Sequence, residues 1–142
     1  MGKGESVLRV RYQETDQMGV VYHANYIVWM EVGRGDYFRK LGLSYSAFEK
    51  ENIFLPVVSV SCNYKSPARY EDVIKIITKI DLIKEVKIGF SYQIYHENER
   101  LLAEGKSEHA FVNDLGRPVS LKKYNPSFWT RLMDAVQREG GD

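Results

Sequence analysis

The sequence is poor in the residues that staple a chain, hold a metal or cross a bilayer. It has 142 residues and one cysteine, Cys62, so no internal disulfide can form and the usual zinc spacings are missing. Its three histidines, His23, His96 and His109, are scattered, and no metal-ligand cluster is expected. Neither sign of charge dominates: 20 Lys and Arg face 19 Asp and Glu, for a net charge of +1. The electrostatic footprint of a nucleic-acid binder is therefore absent. The longest apolar run is about five or six residues, against the ~20 that span a bilayer. Met1 to Glu5 is short and polar, with no apolar signal-peptide region behind it. No repeat, low-complexity tract or linker interrupts the chain. We expect one cytoplasmic domain over residues 1–142, with its core from about 6 to 136.

What is present is concentrated in Thr15 to Glu31, TDQMGVVYHANYIVWME. A polar loop holding one carboxylate runs into a helix pattern starting near Asn25, apolar nearly all round in its first turns. Such a helix must be wrapped by other structure. Farther on, Tyr26, Ile27, Met30, Gly33, Tyr37 and Leu41 share one face. Gly33 and Gly35 each cost about 1 kcal/mol relative to Ala in a helix, so close backbone approach to a sheet is expected. Leu41-Gly42 is a stop signal.

The flanking segments alternate. Ser6 to Tyr12 reads as a first strand with Leu8, Val10 and Tyr12 on one face. Ser46 and Glu49 have capping-box spacing for a short helix to Glu51. Leu55 to Tyr64, Val73 to Leu82, Glu85 to Tyr95 and Arg100 to Val112 read as strands. The last two form a hairpin about Glu97-Asn98. In the last, Ala103, Gly105, Ser107, His109 and Phe111 face inward, and their small members leave room for the helix. Val119 to Leu121 reads as a short edge segment. Asn125-Pro126 opens a final helix to about Gln137, presenting Trp129, Leu132, Met133 and Val136; Gly140 to Asp142 should fray. The sum is an α+β domain, a long helix packed on a strongly curved antiparallel sheet of about five strands. Its edge strands invite dimer pairing.

Asp16 leads the residues that can do chemistry. It lies just before a helix start, where unpaired amides and the helix dipole meet developing negative charge. A carboxylate there can attack a carbonyl or deprotonate water. On spacing alone, a turn-capping role is the commoner one for such an Asp. His23 is second, for its closeness to Asp16 and because its amide lies at the helix start; a structural hydrogen-bonding role competes. His96 reads as exposed at a hairpin end, and His109 as a satisfied core histidine. Glu31 reads as an intrahelical partner of Arg34 worth ~0.2–0.5 kcal/mol, with an acid or base role as the sharper alternative.

The run RYQETDQMGVVYHANY, Arg11 to Tyr26, resembles the active-site signature of the hydroxybenzoyl-CoA thioesterase family of hotdog-fold proteins, and most nearly its YbgC-type acyl-CoA thioesterases. The resemblance continues through Glu31, Arg34 and Leu41-Gly42 and spans roughly residues 6 to 136. It implies a hotdog fold, assembly as a homodimer or homotetramer, and active sites between subunits. It implies hydrolysis of an acyl-CoA to free acid and thiol, with Asp16 as nucleophile or general base. The His23 amide would polarise the thioester oxygen, and the His23 side chain matches the histidine of the YbgC-type subgroup. Tyr22 and Tyr26 would help line a dry acyl slot, and Arg69 would hold a coenzyme A phosphate. A thioester is electrophilic enough that no metal or other cofactor is expected. Two alternatives stand beside this: a hydroxyacyl-thioester dehydratase using a histidine and Glu31, or a non-catalytic acyl-thioester-binding module.

Overall fold

A computed structural model describes residues 2–140; of the residues expected to fray, Gly140 closes the last helix, and Gly141 and Asp142 lie outside the described residues. In chain order the elements are β1 (Lys3–Arg9), a 3-10 turn (Tyr12–Glu14), α1 (Ala24–Lys40), α2 (Tyr45–Lys50), β2 (Val57–Tyr64), β3 (Val73–Ile83), β4 (Lys87–His96), β5 (Leu101–Ala110), α3 (Leu121–Tyr124) and α4 (Pro126–Gly140). The five strands form one antiparallel sheet in the order β1-β3-β4-β5-β2. The sheet wraps α1, and the expected α+β hotdog is the observed fold.

The alternation in β3 buries Ile74, Ile76, Thr78 and Ile80 against α1, as a half-wet strand should. Two glycines set how closely helix and sheet approach. A Cβ on Gly33 would strike the Thr78 hydroxyl and lie 3.0 Å from Ile76 Cγ2. A Cβ on Gly105 of β5 would collide with Met30 Cε of α1 and lie 2.5 Å from the Ser61 carbonyl. The small inner face expected of β5 therefore receives the helix. Gly35 has no such role: a Cβ there would meet only Arg39 and Tyr45 side chains, at ordinary contact distance.

Several local expectations shift. The first strand begins earlier and buries Gly4 and Ser6, and Tyr12 leaves it for the 3-10 turn, where it is exposed with its ring edge-on to Tyr70. In α2 the N-cap position is Ser44, with no side-chain cap bond; burial of Phe48 against Phe38 and Phe128 places this helix instead of a Ser46 capping box. Leu121 is buried and opens α3, and the edge contact falls at Pro118, bridged to Val112. In α4 the Asn125 side chain caps the Phe128 amide at 3.0 Å. Its fully buried stripe is Phe128, Leu132, Ala135 and Val136, with Trp129 and Met133 only half-buried. His96 is half-buried, its Nε2 3.4 Å from Asp72 Oδ1.

The Glu31–Arg34 pair is not formed among the described residues. Glu31 is exposed, whereas Arg34 is buried and turns inward. Its Nε donates to the Tyr45 hydroxyl (3.3 Å) and its Nη1 to the Tyr92 hydroxyl (3.1 Å). From Tyr92 a buried chain runs to Ser107 (2.6 Å), His109 Nε2 (2.9 Å) and, from His109 Nδ1, the Leu55 carbonyl (3.1 Å). A carbonyl only accepts, so Nδ1 carries the proton and Nε2 accepts from Ser107. Tyr92 must then donate to Ser107 and accept from the Arg34 guanidinium. Burial pulls the Arg34 pKa down, but Tyr92 and Tyr45 more than offset it and the guanidinium stays charged. Burial, and then the Arg34 charge, hold His109 down to about 4. It is the satisfied core histidine expected of its position.

Between pH 6.5 and about 4 the unfolded chain takes up a proton at residue 109 that the folded chain refuses. Stability is therefore fully present above pH 6.5 and falls with pH, by on the order of 3 kcal/mol in all. Urea unfolding at stepped pH should give this slope in the native sequence and a flatter one in His109→Gln.

Candidate active site

The Asp16 loop is a narrow excursion with two arms. Thr15 bridges Val21, the Asp16 amide donates to the Val20 carbonyl (2.8 Å), and Gly19, at φ 79°, donates back to the Asp16 carbonyl (3.1 Å). That φ is readily available only to glycine. The returning arm is fastened to the segment after β2: Val20 bridges Arg69, and the Val21 amide donates to the Ala68 carbonyl (2.9 Å). Asp16 Oδ1 accepts from the Met18 amide (2.8 Å) and, more weakly, from Val20 (3.4 Å). Asp16 therefore does cap its own turn. Its second oxygen, Oδ2, accepts nothing from the described residues.

His23 occupies the N-cap position of α1 and has helical backbone angles. Its carbonyl accepts from the Tyr26 amide (3.3 Å) and from the Tyr64 hydroxyl (2.9 Å). Among the described residues no acceptor takes the N–H of His23 or of Ala24, the usual condition of a helix's first amides. Partial burial, and then the Cys62 thiol, push the Tyr64 hydroxyl up to about 12, so it remains a donor. Tyr26 is buried, its oxygen accepting from the equally buried Ala68 amide at 3.0 Å.

These groups line one cleft of about 390 Å³. Asp16, Val20 and Val21 come from the loop, His23 and Tyr26 from the helix opening, and Tyr64, Lys65, Ser66 and Pro67 from the end of β2. The Tyr26 and Tyr64 rings meet edge-on at 5.1 Å and form its aromatic wall. The structure thus brings Asp16, His23 and Tyr26 together. Tyr22 and Arg69 lie outside the lining: Tyr22 is exposed with its ring 4.5 Å from that of His23, and Arg69 is exposed one residue past Ala68. Lys65 lines the cleft and was not singled out from the sequence; its amine is 3.8 Å from Glu104 on β5. Glu31 is not in the lining.

A buried helix inside a curved sheet, with a carboxylate loop folded over its opening, defines a hotdog-fold protein with an acid-bearing cleft. Known proteins agree. The family model of the thioesterase-like superfamily matches residues 10–132. YneP of Bacillus subtilis, itself inferred to be an acyl-CoA thioesterase, is 40% identical over 124 residues, 87% of this chain and 90% of that protein. The acyl-CoA thioester hydrolase YbgC of Escherichia coli is 32% identical over 117 residues, 82% of this chain and 87% of that protein. The solved DHNA-CoA thioesterase of Staphylococcus aureus superposes with a TM-score of 0.89 at 33% identity, covering 100% of this chain and 97% of that one. The chain belongs to the thioesterase-like superfamily, among its hotdog-fold members.

Tyr26→Phe would leave the buried Ala68 amide without an acceptor. An orphaned buried donor costs about 1–3 kcal/mol, and urea unfolding should show the loss.

Proposed function

We propose that the chain is an acyl-CoA thioesterase in which Asp16 is the reacting carboxylate and the His23 amide receives the charge that develops on the thioester oxygen. The observation that carries this is the divided duty of Asp16: Oδ1 is held by loop amides, and Oδ2 is left unengaged on a residue lining the cleft. A carboxylate oriented by one oxygen presents the other with little freedom to lose.

The thioester carbonyl would accept from the His23 N–H, with the dipole of the 17-residue helix behind it. Asp16 Oδ2 then either attacks the carbonyl carbon, expelling the thiolate and leaving an anhydride that water opens, or takes a proton from the water that attacks. Both routes end in free acid and thiol, and neither calls for a metal or other cofactor. Tyr26 and Tyr64 offer the acyl group an apolar wall, and Tyr22 at the rim can extend it. The His23 ring, exposed beside Tyr22, is within the same lining. Lys65 and Arg69 flank Ser66-Pro67 and suit the phosphates of coenzyme A. Glu31 is not among the residues lining this cleft, which favours the thioesterase over a dehydratase that would use it. A cytoplasmic location suits the substrate and the free thiol of Cys62.

Asp16→Asn, tested on a panel of short, long and aromatic acyl-CoAs, should lower turnover by roughly 10²–10⁴-fold, the scale of general-base catalysis; near-native turnover would remove Asp16 from the mechanism. Label in the Asp16 carboxylate after a single turnover in ¹⁸O-water means nucleophile. Where label enters only the acid, borohydride trapping during turnover separates an anhydride opened at its acyl carbon, which is captured, from a general base, which is not.

We further propose that the working unit is a homodimer joined through β2, with a homotetramer as pairs of such dimers. Edge strand β2 exposes Val57, Val58, Val60 and Tyr64, and the neighbouring face of α1 exposes Val28 and Val32. Unpaired apolar edges of this kind are covered in stable proteins. Antiparallel pairing of β2 with its own copy sets the Val57 end of one strand beside the Tyr64 end of the other, closing the cleft on its open side. Val58→Lys should yield monomers by sedimentation and lose thioester turnover with them; an unchanged assembly would rule out this edge.

A further inference from the structure

Glu14 has no part in the chemistry proposed for Asp16 and the His23 amide. Yet it is a buried carboxylate, 5% exposed, two residues before Asp16. Buried Glu is rare unless its oxygens are satisfied, and here both are. Oε1 accepts from the Arg11 amide (2.8 Å), with the Arg11 guanidinium also near at 3.5 Å, and Oε2 accepts from the indole Nε1 of Trp29 (3.0 Å). The Arg11 guanidinium is largely exposed, so that pair adds little. The Glu14 carbonyl is used twice as well, by the Tyr22 amide (2.9 Å) and the Asn25 side chain (2.9 Å).

These four bonds reach three pieces of the site. Trp29 and Asn25 belong to the first turns of α1. Tyr22 is the residue before His23. Arg11 is the entry to the 3-10 turn from which Asp16 departs. The remaining fastening of the loop, through Val20 and Val21 to Ala68 and Arg69, holds it to the β2–β3 connection and reaches α1 only at one remove, where the Ala68 amide donates to Tyr26. The direct hydrogen bonds between the Asp16 loop and the opening of α1 therefore converge on Glu14.

We propose that Glu14 is a positioning residue, fixing the Asp16 loop against the opening of α1 while touching no substrate itself. This rests on the thioesterase reading, in which Asp16 and the His23 amide act on one carbonyl. A misplacement near 1 Å between such groups can cost about 10²-fold in rate, so a bond this close to both should be read in kcat.

The test is Glu14→Gln, with Trp29→Phe beside it. The amide matches the carboxylate in shape but offers one acceptor oxygen to two donors and turns an N–H toward the other, so one arm must open. Turnover below the melting temperature should fall about tenfold or more, with KM held within about twofold, since binding groups on β2 and α1 are untouched. Trp29→Phe keeps the charge and removes one donor. It should lower kcat in the same direction by less, which a merely electrostatic role for Glu14 would not produce. Amide hydrogen exchange should quicken at Tyr22 and through the Asp16 loop while β3 and β4 stay protected. A lowered melting temperature with native kcat and native loop exchange in Trp29→Phe, and in Glu14→Gln if it folds, would reduce Glu14 to a structural role and overturn the proposal. Asp16→Asn separates the two failures: an inactive Asp16→Asn with unaffected Glu14 and Trp29 variants sinks only the positioning role. An active Asp16→Asn sinks the reading beneath it.

Discussion

The depth to which α1 sinks into the sheet is a steric matter, settled by two missing side chains. Gly33 lets the helix rest on Thr78 and Ile76 of β3, and Gly105 lets Met30 onto β5, two strands away on the same face of the sheet. One Cβ at either point would push helix and sheet apart, and overpacked cores lose on the order of 1–3 kcal/mol. The opening of α1 is carried by that same rigid body. Where the helix lies decides where the His23 amide lies, and so where the loop bearing Asp16 must close. A glycine on a strand therefore has consequences at a cleft whose lining it does not join.

The interior against which the helix packs is not purely apolar. Arg34 enters it with no carboxylate opposite among the described residues, a costly arrangement unless its donors are used. Two tyrosine hydroxyls receive them, and the polarity passes through Ser107 and His109 to the Leu55 carbonyl. Each member has one role left once its neighbour's is fixed, so the chain runs in a single direction. It ties α1 to β4, to β5 and to the segment entering β2. The helix is thus located by hydrogen bonds across the sheet as well as by the fit at Gly33 and Gly105.

Much of this was legible in the residues, and the failures share a cause. Period-two alternation located β3 and β5 and oriented them correctly, because buried isoleucines or small residues alternate there with charges. The long helix and the Asn125 cap were equally plain. Arg34 and Glu14 were misjudged or missed because charged residues are read as solvated, and only their unseen partners, Tyr92 and Trp29, reverse that. The buried indole was the available clue, since a buried Trp N–H seeks an acceptor. The first strand starts at Lys3 and not at the expected Ser6 because Gly4, though buried, carries no apolar signal. In β2 the strand is plain, but every residue of it except Cys62 is exposed in the single chain, which follows from its place at the sheet edge and which no alternation reveals. Of the site, Asp16, His23 and Tyr26 converge on the cleft, whereas Tyr22 and Arg69 stand beside it and Lys65 joins it from β2.

The two readings of Asp16 that spacing alone left in competition turn out not to exclude one another. A turn cap needs one oxygen, and loop amides hold Oδ1. Chemistry needs the other, unengaged and in a fixed direction. A carboxylate wholly free in solvent would lose rotational freedom on approaching a substrate, and one bonded at both oxygens would have to break a bond first. The half-used carboxylate avoids both costs. The same division recurs one turn away, where the His23 carbonyl is taken by Tyr64 and the Tyr26 amide while its N–H is left without an acceptor. On both residues the structural bond falls on one atom and leaves a neighbouring atom in a known place, which is what a preorganised site requires of the scaffold around it.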